Sequence, residues 1–368
     1  MNPGLAAWKV KPGDFPEQGT PAEKLAFLVN YAVLAPSKYN SQPWLFEICG
    51  GSLDLICDRN IQFQVTDPAC RESILSCGAA LMNLRLAAEY FGYATIVECF
   101  PWQGNDNLLA RIRLNAARTN GADHNGFAWK TPVPARHPSA HQPDVEPARD
   151  DLFLAMTRRS TVRSQFWPGT PPESILAACR NAALRNGAWL KIVKDARTQE
   201  AIAELVAQGD REKLADRGFR RELSTWIHPA RAGRKVGLSG AVYGLDGPLD
   251  LLTPGFSLLL RKVNLGRLIA ARDRERARRA PALLILGTAE DTPRAWLAAG
   301  QALESVLLHA TAAGLRASCL SQPASVNHLR TELLETIQGS GFPQIMIRVG
   351  YGQPTRHTPR RPGPEVSI

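Results

Sequence analysis

Apolar residues recur three and four positions apart in "PAEKLAFLVNYAVL" (21–34), with proline in the first turn, which predicts a helix. Two runs, "WLFEIC" (44–49) and "LDLICD" (53–58), alternate apolar and polar residues around a GGS turn, which predicts a β-hairpin. A longer helix is predicted over about 70–91, because Gly92 fits a helix C-cap. The runs "ATIVECF" and "LLARIRL" then predict two further strands.

The same order of elements begins again near residue 151. "PPESILAACRNAAL" predicts a helix and "AWLKIV" a strand, and a shift of 145 residues places Trp44 on Trp189. A shift of 222 residues places "GAALMNLRLAAEYFG" (78–92) on "GQALESVLLHATAAG" (300–314). These matches predict an internal duplication. The two shifts differ by 77 residues, so the second half carries an insertion at about 200–278.

This repeat predicts the organisation of the whole chain. We expect an N-terminal arm at 1–20 and a first half at 21–118. A polar, proline-rich linker at 119–150 follows. The second half, 151–362, contains the insertion, and 363–368 form a short tail.

The two halves differ most in their polar residues. The loop "APSKYNSQPW" (35–44) has no polar counterpart in the second half, whereas "TRRSTVRSQF" (157–166) opens the second half with three arginines. Arginine with neighbouring hydroxyls suits a phosphate, and small polar groups suit the edge of a flat heterocycle. We interpret the two segments as one composite site, although singly they also fit a surface charge cluster and a plain turn.

Composition excludes several classes of protein. The chain is 44% hydrophobic and 21% charged, which is typical of a globular protein. No run approaches the ~20 apolar residues of a membrane span, and the N-terminus lacks a signal-peptide pattern, so we expect a cytoplasmic protein. Seven cysteines without a CxxC pair predict neither a disulfide framework nor a zinc site. His137 and His141 lack companion ligands, so no metal is expected.

The net charge of +10 leaves nucleic acid, an anionic membrane or a phosphorylated ligand as partners. Much of this charge lies at 220–235 and 272–280, and we interpret the second stretch as a solvated helix. The run "LDLLTPGFSLLLRK" (249–262) fits either a lid helix packed on the core or a segment in a membrane interface. No nucleic-acid-binding motif is found, so no specific nucleic-acid partner is expected.

The chain resembles the nitroreductase-type flavoproteins, and more closely the Acg family, in which two nitroreductase-like halves are fused. The resemblance covers roughly 22–115 and 151–362, and five motifs carry it: "APSKYNSQPW", "DPACRESILSCGAALMNLRLAA", "RRSTVRSQF", "ALESVLLHATAAGLRASCLSQP" and "FPQIMIRVGYGQP". It implies an α+β, nitroreductase-like fold that resembles a nitroreductase dimer within one chain. A monomer acting as a pseudo-dimer is expected, and further dimerisation stays open.

The resemblance also implies FMN as the cofactor and carries its contacts onto this sequence. The first half would supply Pro36, Ser37, Lys38 and Asn40. The second half would supply Arg159, Thr161 and Arg163, a register preferred to Arg158, Ser160 and Val162 because its third residue is basic. Ser321 and Gln322 would lie near flavin N5 and O4. Arg360 would face the phosphate, with Arg356 as a second candidate.

The function implied is an FMN-dependent oxidoreductase. Hydride or electrons would pass through flavin N5 to a small planar acceptor, such as a nitroaromatic compound or a quinone, with NAD(P)H as a possible reductant. No side chain is expected to be catalytic, because the cofactor carries the chemistry. The insertion resembles a lid over the flavin, so the alternative is a flavin storage or sequestration protein with little turnover. A third class is an interaction protein that uses the basic insertion.

Overall fold

The computed structural model describes residues 3–61, 63–102, 104–116 and 148–368. Most of the predicted linker, including His137 and His141, lies outside the described residues. The first half contains the helices α1 (Pro21–Ala32) and α2 (Arg71–Tyr90) and the strands β1 (Trp44–Cys49), β2 (Ser52–Cys57), β3 (Tyr93–Cys99) and β4 (Leu108–Ala116). These strands form an antiparallel sheet in the order β1-β2-β4-β3, which confirms the predicted hairpin and strands.

Local sequence signals set the ends of these elements. Thr20 caps α1 through a reciprocal capping box with Glu23, and Pro21 occupies the first helical position. The N–H of Gly92 bonds to the carbonyl of Glu89 at a φ of 83°, which a residue with a side chain adopts only under strain. The chain therefore leaves α2 where the sequence predicted.

The second half repeats this arrangement with one insertion. Its helices are α3 (Arg149–Arg158), α4 (Glu173–Arg185), α9 (Pro293–Ala312) and α10 (Asn327–Thr336), and a last short helix, α11 (Gly363–Val366), lies in the tail and packs on the first half's core. Its strands are β5 (Trp189–Val193), β8 (Ala282–Thr288), β9 (Arg316–Leu320) and β10 (Phe342–Gly350). The antiparallel sheet order β5-β8-β10-β9 matches the order in the first half, element for element.

The insertion comprises the elements between β5 and β8. They are α5 (Ala196–Ala215), α6 (Arg217–Thr225), β6 (Ile227–His228), β7 (Leu238–Ser239), α7 (Thr253–Lys262) and α8 (Gly266–Arg278). Asp195 and Asp216 cap α5 and α6 through their side chains. Leu214, Phe219, Leu223 and Leu260 belong to a small apolar cluster of the insertion, separate from the cores of the two halves.

The helices α2 and α9 form the centre of the molecule. Leu297 and Leu308 of α9 pack into the first half's core, while Leu75 of α2 packs into the second half's core. A Cβ atom on Gly78 would overlap the carbonyl oxygen of Leu297, and one on Gly300 would overlap that of Leu75.

Adding 222 to Gly78 gives Gly300, and adding 222 to Leu75 gives Leu297. The two contacts are therefore equivalent, as they would be across a two-fold axis. Both helices contain 20 residues, and the same shift carries the ends of α2 onto the ends of α9. The internal duplication stays a prediction, and this reciprocal packing favours it.

The described part of the chain contains no helix that is both long and apolar enough to span a membrane. Within the same residues, no cluster of three or more histidine, cysteine or carboxylate side chains is placed to hold a metal ion.

Candidate functional site

A cavity of about 270 Å³ lies where the two halves and the insertion meet. The loop after α1 and helix α2 form one side, and the 161–163 segment, β9 and β10 form another. Helices α5, α6 and α8 of the insertion line the rest. Six cationic side chains and three carboxylates face this cavity: Lys38, Arg163, Lys213, Arg272, Arg276 and Arg348, with Glu72, Asp210 and Asp273.

The loop after α1 holds its shape through unusual backbone conformations. Tyr39, Asn40 and Gln42 have φ values of 50°, 57° and 54°, in the left-handed region that side chains disfavour. The N–H of Gln42 donates to Ser37 Oγ (3.0 Å), and Gln42 Nε2 donates to the carbonyl of Lys235 in the insertion (2.7 Å). Pro36, Ser37, Lys38 and Tyr39 are thereby placed along the cavity wall.

Lys38 is fixed at the cavity edge by two acceptors. Its Nζ donates to the carbonyl of Thr66 (2.6 Å) and lies 2.5 Å from Glu72 Oε2. Burial opposes ionisation of Glu72, but the charges of Lys38 and Arg71 outweigh it and hold the pKa of Glu72 at about 2. Glu72 is therefore charged at neutral pH and forms an ion pair with Lys38.

Residues 161–163 form a strand-like segment whose side chains point alternately into the core and toward the cavity. Thr161 bridges Ala317 beside β9, and the N–H of Val162 donates to the carbonyl of Ala317 (3.0 Å). Val162 is therefore buried, while Thr161 and Arg163 face the cavity. Arg163 makes no hydrogen bond or ion pair with any described residue. Burial lowers its pKa, and nearby Arg276 lowers it further.

A second arginine enters the cavity from an otherwise apolar strand. Arg348 of β10 donates to the carbonyls of Arg276 and Val162 (both 3.3 Å) and lies over the ring of Phe166. Its Nε has no hydrogen-bond partner among the described residues, and burial lowers its pKa to about 10. A buried guanidinium with a free donor can bind an anionic ligand.

The prediction that the 272–280 helix is solvated is wrong on one of its faces. Arg272 and Arg276 line the cavity, where both donate to Asp273 Oδ1 (3.0 and 2.8 Å). Arg274 and Arg278 do face solvent, and each pairs with glutamate. The cause is helical periodicity: residues 269, 272, 273 and 276 share the face that α8 turns toward the cavity.

Helix α5 contributes two titratable groups one turn apart. Burial raises the pKa of Asp210 to about 7, and the neighbouring Asp273 charge adds to this rise. Burial lowers the pKa of Lys213 to about 8, against the charges of Glu72 and Asp210. Gln322 Nε2 lies 3.5 Å from Asp273 Oδ2, and its amide opposes the rise in the pKa of Asp210.

Seven of the ten predicted site residues therefore line one cavity. Three do not: Asn40, Arg159 and Arg360 lie in a buried polar cluster. Arg360 Nη1 donates to Asn40 Oδ1 (2.5 Å), and Arg159 Nη2 donates to the carbonyl of Leu34 (2.9 Å). Their roles as cofactor contacts stay predictions.

Glu304 adds a carboxylate to this cluster, 3.4 Å from Arg159 Nε. Burial raises the pKa of Glu304 to about 7, although Arg159 and Arg360 oppose the rise. Burial and the Arg159 charge lower the pKa of Arg360 to about 9. The Nε atoms of both arginines lack hydrogen-bond partners among the described residues, so the cluster retains unused donors.

The sequence reasoning missed Lys213, Arg276 and Arg348. Arg348 could have been identified, because it is the only charged residue within the strand "FPQIMIRVG". The sequence indicated Arg276 less clearly, since it lies four residues after Arg272 on a single helix face. Nothing in the local sequence distinguishes Lys213 from a surface lysine.

The family model described as Nitroreductase family matches residues 155–351. "Putative NAD(P)H nitroreductase Rv3131" of Mycobacterium tuberculosis is 32% identical over 350 residues, which cover 92% of this chain and 90% of that protein. "Putative NAD(P)H nitroreductase acg" of the same organism is 28% identical over 345 residues and covers 92% and 93%.

Among solved structures, the FMN-dependent nitroreductase NfnB from Mycobacterium smegmatis in complex with NADPH is 16% identical, with a TM-score of 0.36. That match covers 56% of this chain and 94% of the other. By the family model and the identity to its relatives, this chain belongs to the nitroreductase family. It is a nitroreductase-like oxidoreductase with Acg among its relatives.

Proposed function

We propose that this protein is an FMN-dependent oxidoreductase that passes hydride or electrons to a small planar acceptor, such as a nitroaromatic compound or a quinone. We further propose a single FMN site, composed of residues from both halves. The observation that carries the proposal is the common cavity of Pro36–Lys38, Thr161, Arg163, Ser321 and Gln322, which come from three distant parts of the sequence.

The chemistry of the cavity suits FMN, which is anionic at one end and flat and polar at the other. Arg163 and Arg348 retain guanidinium donors that no described residue uses, so they can bind an anionic group. Ser37 and Ser321 offer hydroxyls, and Gln322 has a buried Oε1 without a hydrogen-bond partner among the described residues. FMN would supply the hydride and electron transfer itself.

Reduction of a quinone or nitro group consumes protons as well as electrons. Lys213 Nζ and the Asp210 carboxyl line the cavity with pKa values of about 8 and about 7. Both groups can therefore hold or release a proton near neutral pH. Lys213 also donates to Ser325 Oγ, which orients its ammonium group. We assign these two side chains the delivery of protons to the acceptor.

One observation favours a second candidate, a flavin-holding protein with little turnover. The insertion closes one side of the cavity with apolar side chains, among them Phe219, Leu223, Val242, Tyr243 and Ile269. Burial raises the pKa of Tyr243 in this wall to about 12. A wall of this kind would hinder stacking of a nicotinamide or an acceptor.

An anaerobic stopped-flow experiment separates the two candidates. The oxidoreductase proposal predicts that NADPH or NADH bleaches the bound flavin and that a quinone restores its colour. If only dithionite bleaches the wild type, whereas NADPH bleaches Leu223→Ala, the holding function is favoured. Leu184→Ala, at an exposed position outside the insertion, is the matched control and should behave like the wild type.

A further inference from the structure

The insertion exposes several large apolar side chains within a short stretch of sequence. Residues 247–252 form a short 3-10 helix that leads directly into α7, and Leu268 lies on the first turn of α8. Seven side chains form what we term the insertion patch: Leu249, Leu251, Leu252, Leu258, Leu259, Val263 and Leu268, each at least 43% exposed. Isolated exposed leucines are common, but seven within 20 residues are not.

The cause is that α7 is apolar on two faces. Thr253, Phe256 and Leu260 follow the helical period and pack inward, on the insertion's own apolar cluster. Leu258 lies on the opposite side of α7, exposed Leu259 borders the inward stripe, and Leu252 and Val263 flank the two ends of the helix. Leu258 and Leu259 are therefore exposed on a helix whose inward side is already packed, which leaves apolar surface for a partner. The inward side of α7 therefore packs on the insertion's own cluster and not on the cores of the two halves, and the lid role stays a prediction.

The charges around the insertion patch indicate what that partner is. Arg261, Lys262 and Arg267 are exposed, and none forms an ion pair with a described residue. Residues 251–271 contain no acidic side chain at all. Apart from exposed Asp246 and buried Asp250, which lie near Leu249, the border of this apolar surface is cationic, and it complements the anionic headgroups and acyl chains of a bilayer surface. A second copy of this chain would place one cationic border against the other, which is unfavourable.

We propose that the insertion patch binds the surface of an anionic lipid bilayer. The leucines enter the headgroup and acyl boundary, while the three cations contact lipid phosphates. The binding is peripheral, because α7 has only 10 residues. It does not depend on a bound flavin, since none of the seven patch residues lines the cavity.

Vesicle flotation tests the proposal with the full chain. The wild type should float with vesicles of phosphatidylcholine and phosphatidylglycerol at low salt, and much less with phosphatidylcholine alone. Arg261→Gln/Lys262→Gln/Arg267→Gln should weaken binding on the order of 100-fold, and Leu251→Ser/Leu258→Ser/Leu259→Ser by more than about ten-fold. The outer face of α7 is exposed, so both variants should keep the wild-type far-UV circular dichroism.

Matched controls carry the same changes elsewhere on the surface. Arg113→Gln/Lys191→Gln/Arg197→Gln removes three exposed cations, and Leu184→Ser removes one exposed leucine. Both controls should bind like the wild type. The proposal is overturned if the wild type fails to float with anionic vesicles or if the leucine variant floats equally well. It is also overturned if light scattering shows a dimer that the leucine variant loses, because a second copy then covers the patch.

Discussion

At the scale of single residues, Lys213 and Asp210 are the cavity side chains whose pKa values lie nearest to neutrality. They lie one turn apart on α5, and burial moves their pKa values toward neutrality from opposite directions. Burial acts against whichever form is charged, so it favours the neutral amine of Lys213 and the neutral acid of Asp210. Both effects arise because the insertion folds over the cavity.

We predict that Lys213→Met lowers kcat for acceptor reduction by about 100-fold, since proton transfer from a placed side chain contributes that much. The affinity for FMN should stay within about three-fold. Lys213→Arg is the informative partner, because arginine keeps the charge but does not release a proton at neutral pH. Steady-state kinetics across pH, with FMN affinity from fluorescence, provide the measurement. Full activity in Lys213→Arg would show that Lys213 acts through its charge alone.

Asp210 predicts a pH dependence of stability. Its pKa rises from 3.8 to about 7 on folding, so its favourable contribution is complete below pH 3.8 and is lost as pH rises through about 7. The loss is at most about 4 kcal/mol. Asp210→Asn should therefore reduce the fall in unfolding free energy between pH 5 and pH 8. Urea unfolding of both proteins at each pH measures this, with exposed Asp246→Asn as the control. Parallel wild-type and Asp210→Asn profiles would contradict the burial of this carboxyl.

Sequence patterns alone pointed to residues of the proposed composite site where unusual polar groups lie together. The loop at 36–38 and the segment at 161–163 stand out because neither has a counterpart in the other half. Lys213 and Arg276 could not be predicted, because their position at the cavity depends on how the insertion folds back over the halves. Asn40, Arg159 and Arg360 were also expected at the cofactor; they lie in the buried cluster with Glu304, and their roles as cofactor contacts stay predictions.

At the scale of elements, the crossing of α2 and α9 is the contact on which both halves depend. Each helix contributes one glycine at the point of closest approach, and each also packs leucines into the opposite half's core. The sequence aligned Gly78 with Gly300 but gave no indication that they meet. Their contact depends on how the two helices pack against each other, which no local sequence pattern indicates.

We predict that Gly78→Ala and Gly300→Ala each lower the free energy of unfolding by about 1–3 kcal/mol, because the new methyl group forces backbones apart. The double variant should lose less free energy of unfolding than the two single variants together, since the first change already separates the helices. Gly255→Ala is the matched control: it lies in α7, where a Cβ atom meets nothing within 4 Å, and should be neutral or slightly stabilising. Additive losses from chemical denaturation would contradict the reciprocal contact.

At the scale of the whole molecule, two sheets of identical strand order are joined by paired central helices, and one half carries an added insertion. Hydrophobic periodicity predicted the long helices and the hairpin of the first half, because each pattern repeats over enough residues to be read locally. It did not predict the short strands β6 and β7. Two-residue strands depend on tertiary contacts rather than on a sequence pattern.

The central claim is that one flavin site is built from both halves, and the absorption spectrum of the purified protein tests it most directly. Wild-type protein should show a flavin band or take up added FMN. Ser37→Ala from the first half and Arg163→Ala from the second should each weaken that uptake, by about ten-fold or more for the arginine. Arg158→Ala, exposed in the same segment, should leave it unchanged. A wild type that is colourless and takes up no FMN, or an Arg163→Ala variant that binds it fully, would contradict the account.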